Sequence, residues 1–105
     1  MTAPGKNLEF FESPYYSSKI APVPDLANEI AQHLENRPNC GVPFLASIRI
    51  LELRSHGRTF TVVFARSGQR ISLMNVFEGA SAPALTDYLR RLRIAFSGAK
   101  RGPGS

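Results

Sequence analysis

Apolar residues recur along the chain in two rhythms, and the changes between them mark out the elements. Residues 8–12, Leu-Glu-Phe-Phe-Glu, form a short apolar segment that reads as a strand and stops at Ser13-Pro14. A serine can accept a hydrogen bond from the free N–H groups of a first helical turn, and proline tolerates the first helical position, so a helix is predicted over 14–20. Ala21-Pro22-Val23-Pro24 breaks the chain, because each proline removes a donor and turns its predecessor away from helix. Leu26, Ile30 and Leu34 then repeat every four residues with Ala27 and Ala31 beside them, which predicts a second amphipathic helix over 24–35. Arg37-Pro38-Asn39-Cys40-Gly41 ends it.

The period changes to two in the next stretch. Strands are predicted over 46–54, 58–66 and 70–77; in the second, Phe60, Val62 and Phe64 share one face and Thr59, Thr61 and Val63 the other. That strand reads as central. Ser55-His56-Gly57 and Ser67-Gly68-Gln69 are short glycine-containing connections, so the three strands are expected to form an antiparallel meander. Ser81 is the expected cap of a last helix, in which Leu85, Tyr88, Leu89, Leu92 and Phe96 fall on one face. Residues 97–105 are rich in glycine and small residues and carry Lys100 and Arg101, and are expected to form a flexible basic tail behind a single domain over 1–96. The order is β-α-α-β-β-β-α. The expected class is α+β: an antiparallel sheet with its helices packed on one face and the other face partly open.

Composition narrows the function classes. With 43% hydrophobic and 20% charged residues among 105, the chain can bury one core and is no disordered basic tail. A single cysteine, Cys40, excludes an internal disulfide framework, and with only His33 and His56 to join it no zinc site or other cofactor is expected. No apolar run approaches the roughly 20 residues of a membrane span, and Met-Thr-Ala-Pro-Gly does not read as a signal peptide, so a cytoplasmic protein without membrane association is expected.

The formal charge of +5 is unevenly placed. Residues 1–47 hold three cations and five anions, a net −2; residues 48–105 hold ten cations and three anions, a net +7. Such polarity points to a polyanionic partner, with solvated surface arginines as the plain alternative. Arg54, Arg58, Arg66 and Arg70 stand at the ends of the predicted strands, where planar guanidinium groups can grip phosphate. His56 lies among them, and its ordinary pKa suits proton transfer, although a histidine beside a glycine also suits a turn. Glu78 can serve as a base or pair with a neighbouring arginine.

Several phrases resemble the RelE/ParE toxin superfamily, in its HigB-like, phage-derived branch. Phe10-Phe11-Glu12-Ser13-Pro14-Tyr15-Tyr16 is similar to the family's opening strand and its E-T/S-P-x-F/Y helix start. Leu51-Glu52-Leu53-Arg54 resembles its E-L-R strand, Ser55-His56-Gly57-Arg58-Thr59-Phe60 its H-G hairpin, and Gly68-Gln69-Arg70-Ile71-Ser72-Leu73 its G-x-x-I-x-L strand. The resemblance implies a RelE-like fold and a toxin neutralised by an antitoxin protein. Its target would be mRNA on the ribosome or, in ParE-type relatives, DNA gyrase. For a cleaving member it implies an endoribonuclease; such cleavage needs no metal, and on the chemistry and placement of the residues the candidates are Arg54, His56, Arg66 and Glu78 as the catalytic set and Arg54, Arg58, Arg66 and Arg70 on the RNA. The chain departs from the cleaving pattern after its last strand, where Phe77-Glu78-Gly79-Ala80-Ser81 stands in place of a basic segment. Binding of nucleic acid or antitoxin is therefore favoured over catalysis. A small nucleic-acid-binding module outside the toxins ranks lower, because the last helix carries no basic residue before Arg90.

Overall fold

Ser13 joins the first two elements by serving both. In the computed structural model, which describes residues 8–37, 40–79 and 83–101 with side chains through Phe96, β1 (Glu9–Glu12) runs straight into α1 (Pro14–Ile20). The Ser13 hydroxyl accepts from the Tyr16 N–H at 3.2 Å and donates to the Met74 carbonyl, while its own N–H reaches the Leu73 carbonyl. One residue thus caps a helix and ties it to the sheet. Ser13→Ala is expected to cost about 1–2 kcal/mol, from the lost cap and an unpaired carbonyl, read as a lower urea midpoint at unchanged slope.

The chain turns at Ala21 and Pro22 and enters α2 (Pro24–Asn36), which buries Leu26, Ile30 and Leu34, the stripe its spacing predicts. β2 (Val42–Leu45), β3 (Ile48–Ser55), β4 (Arg58–Ser67) and β5 (Arg70–Glu78) follow, then α3 (Pro83–Arg101). The sheet order is β1-β5-β4-β3-β2. β2 to β5 are antiparallel neighbours, whereas β1 lies parallel to β5, pairing Phe10 with Ile71 and Glu12 with Leu73. The described residues thus form a small single-domain α+β fold with a five-stranded mixed sheet and three helices.

Three expectations are corrected. The sheet is mixed and has a further strand, β2, which the sequence pattern hides because Val42-Pro43-Phe44-Leu45 is short, contains proline and does not alternate. The helices cover both faces. α1 and α2 pack over Leu51, Phe60, Val62, Phe64, Ile71, Leu73 and Val76, while α3 lays Leu85, Tyr88, Leu89, Leu92 and Phe96 against Ile48, Val63 and Phe77 on the opposite face. An amphipathic stripe states that a helix face is buried but not which side of the sheet receives it. Finally, α3 runs on through Arg101, so 97–101 is helix rather than tail; 102–105 and the expected Ser81 cap lie outside the described residues.

A bulge makes the second layer possible. Val63 faces Asn75 and Phe64 faces Leu73, so Met74 is the extra residue and the alternation of β5 shifts by one. Ile71 and Leu73 therefore serve the α1–α2 core, Met74 and Phe77 the α3 layer, and Val76 the first core again. The Asn75 side chain accepts the Val76 N–H at 2.9 Å, which satisfies a backbone donor beyond the reach of the short β1. Burial raises the Tyr88 phenol pKa, against a smaller opposing effect from its hydrogen bond with Asn75.

The charge polarity of the sequence becomes spatial. α2 carries Asp25, Glu29 and Glu35 on one face of the sheet, and α3 carries Arg90, Arg91 and Arg93 against Asp87 on the other. Asp87 holds Arg91 at 3.0 Å, and Arg93 lies over the Phe44 ring at 4.9 Å.

Candidate functional site

The β3–β4 hairpin closes over two residues with left-handed backbone, His56 at φ 52° and Gly57 at φ 77°. Two successive positive φ values define a type I′ turn, which matches the twist of the flanking strands and explains the His-Gly pair. Ser55 and Arg58 are opposite one another across that turn and share the α1–α2 face. The buried Ser55 hydroxyl donates to Glu29 of α2 at 2.9 Å, and His56 Nδ1 lies 3.4 Å from the same oxygen. A hydrolytic triad needs the imidazole between hydroxyl and carboxylate. Here the serine is in the middle and buried, so the arrangement pins the hairpin to α2.

Arg58 reaches across to Glu78 at the end of β5, with Nε 2.8 Å from one carboxylate oxygen and a terminal nitrogen on the other. The hydrogen bond from Arg58 holds the Glu78 pKa below its ordinary value, so this carboxylate is a weaker proton acceptor than a free glutamate. The pair is solvent-exposed and adds little to stability. Arg58 also lies over the Phe60 ring at 5.5 Å. Beside it, Lys19 of α1 places its ammonium 3.8 Å from the centre of the Phe77 ring, and burial lowers its pKa.

These residues rim a groove of about 340 Å³ between the Pro22-Val23 linker and the ends of β4 and β5, with Leu26, Phe60 and Val76 in its lining. It continues past Pro24 and Asp25 to Ser55 and His56. The groove brings together three of the sequence-selected residues, His56, Arg58 and Glu78.

The other arginines go elsewhere, which corrects the expectation of one phosphate-gripping face and of one catalytic set. Arg54 pairs with Thr59 on the α3 face at the β3–β4 end; Arg58 is on the α1–α2 face at that end. Arg66 pairs with Ile71 on the α1–α2 face at the other end of β4, and Arg70 lies on the α3 face there, 5.2 Å over the Phe11 ring. The four occupy two ends and two faces, one in each combination. Arg58 and Arg66 are eight positions apart on one strand, roughly 26 Å at about 3.3 Å per residue. Arg66 gives its Nε to the Gly68 carbonyl at 2.9 Å, inside its own turn.

Sequence reasoning passed over Lys19, Glu29 and the Pro22-Val23-Pro24 wall of the groove. Nothing local signals a Ser55–Glu29 contact 26 residues apart. Cys40 lies against the first core, where burial raises its thiol pKa despite the nearby Arg49, whose guanidinium binds the Cys40 and Gly41 carbonyls. Among the described residues no three His, Cys, Asp or Glu side chains gather to hold a metal ion, and no helix is long and apolar enough to cross a membrane. No protein-family model matches the chain, and neither does any curated protein.

Proposed function

We propose that the chain is a toxin-fold component of a bacterial toxin–antitoxin module that acts in the cytoplasm by holding a protein partner rather than by cutting RNA. The toxin reading rests on the resemblance. Its phrases fall on a strand-to-helix junction at Glu12-Ser13-Pro14, on β3 and its His56-Gly57 hairpin, and on the start of β5.

The choice of binding over cutting rests on the divergence of Arg54, Arg58, Arg66 and Arg70 to two ends and two faces of the sheet. In-line attack by a 2′-hydroxyl needs a base, a cation and an acid around one phosphate, within hydrogen-bond reach. Arg66 is a strand's length from His56 and Glu78, and Glu78 is already engaged by Arg58. The partners in this reading are an antitoxin that covers the chain at rest and a target such as DNA gyrase.

Expression of the chain alone in bacterial cells separates the outcomes. Growth arrest with full-length messages and slowed gyrase supercoiling is the expected result. Arrest with messages cut on the ribosome would replace binding by an interferase activity, and unimpeded growth would overturn the toxin reading itself.

A further inference from the structure

We propose that the groove between the Pro22-Val23 linker and the ends of β4 and β5 binds a small monocarboxylic acid with an apolar body, its carboxylate held by Arg58 and Lys19. This goes beyond the partner-binding reading and does not depend on it. Two cations from separate elements line the same groove. Lys19 comes from α1 and lies over Phe77, and Arg58 comes from β4 and lies over Phe60. Among the described residues Lys19 makes no ion pair, although it lines the groove. Arg58 presents a planar fork suited to a carboxylate and fills it with Glu78, a surface carboxylate that a ligand can displace at little cost because both side chains are about half exposed.

The charge count favours a monoanion. Lys19 and Arg58 against Glu78 leave one net positive charge on this part of the groove, so a single carboxylate balances it, whereas a phosphate dianion is repelled by Glu78. The floor selects the rest of the ligand. Leu26, Phe60 and Val76 are nearly buried already and present carbon to the cavity, which offers about 340 Å³, the small end of the usual range for small-molecule sites. A phenyl ring on a short chain fills that space and keeps its carboxylate at the rim.

Titrating the full chain with 4-phenylbutyrate, followed by backbone amide NMR, tests the site. Saturable shifts are expected at Leu26, Phe60 and Val76. The uncharged 4-phenylbutyramide and inorganic phosphate are each expected to bind at least about tenfold more weakly, as a charge-assisted hydrogen bond on a carboxylate requires. Arg58→Gln and Lys19→Gln should each weaken binding about five- to tenfold, while Glu78→Gln, which frees Arg58, should tighten it by a similar factor. All three positions are exposed, so the variants are expected to melt within a few degrees of the parent. Equal binding of acid and amide, shifts centred on another surface, or no saturable shift would each overturn the proposal. So would a Glu78→Gln variant that binds no better than the parent. None of these results bears on growth arrest in cells.

Discussion

Phe64→Ala is expected to remove about 3–5 kcal/mol of stability, a large share of the roughly 5–15 kcal/mol available to a domain of this size. Phe64 is fully buried near the middle of β4, facing α1 and α2, with Leu34, Ile30 and Leu73 in the same core. Its ring also approaches Gly41 so closely that a Cβ there would lie 3.4 Å from it and 3.2 Å from the Ile50 carbonyl. Gly41 has a φ of 86°, so the loop after α2 is built around a backbone that only glycine adopts without strain and around that ring. Removing the ring leaves a cavity that neither a central strand nor this loop can collapse to fill. Urea denaturation of parent and variant measures the loss. A change below about 1 kcal/mol would mean that the core rearranges around the gap and that the packing described is not what holds α2 on the sheet.

Stability is expected to fall as pH rises above about 10, and Tyr16 is the principal cause. The Tyr16 side chain is 1% exposed, and burial, assisted by the Glu12 carboxylate, pushes its phenol pKa well above the ordinary value. The native state keeps this proton at a pH where an unfolded chain has released it. The unfolded state therefore binds fewer protons between the two pKa values, so unfolding becomes easier as pH rises; below pH 10 the contribution is fully present. One such group gives a slope of at most about 1.4 kcal/mol per pH unit. Tyr16→Phe should flatten the dependence, leaving a smaller slope from Tyr88, whose pKa burial also raises. Urea unfolding of both proteins between pH 8 and 11 is the measurement, and parallel curves would remove Tyr16 from the account.

Much of the fold is legible in the sequence where a local signal is strong. Ser13-Pro14 sets the start of α1, the four-residue spacing of Leu26, Ile30 and Leu34 sets the buried stripe of α2, and Leu85, Tyr88, Leu89, Leu92 and Phe96 are the residues with which α3 packs. The placement of layers is less legible, although β4 holds a clue. Phe60, Val62 and Phe64 on one face and Thr61 and Val63 on the other are all buried, which requires cover on both sides. For the arginines, connectivity alone separates the pairs. Successive hairpins of a meander lie at opposite ends, so Arg54 and Arg58, which flank one turn, cannot meet Arg66 and Arg70, which flank the next. The groove was hidden for another reason: Lys19, Arg58 and Glu78 meet only through the tertiary fold, and no spacing in the chain encodes that meeting.

The bulge at Met74 and Asn75 sets how the gene for this chain can drift. Hairpin tips such as Gly68-Gln69 can gain or lose a codon with effects confined to the surface. A codon lost at Met74 removes the extra residue and restores strict alternation in β5, and because Asn75 then follows Leu73 directly, Asn75, Val76, Phe77 and Glu78 keep their partners on β4 and their faces. A codon gained between Asn75 and Val76 instead turns the later side chains over: Phe77 is driven toward the α1–α2 layer and Val76 toward α3, and Glu78, the partner of Arg58, faces the wrong side of the sheet. The bulge is thus a place where β5 can change length by one residue without exchanging the side chains of the two cores, and homologues with this architecture are expected to lose or keep a residue there while holding the length of the strand that follows.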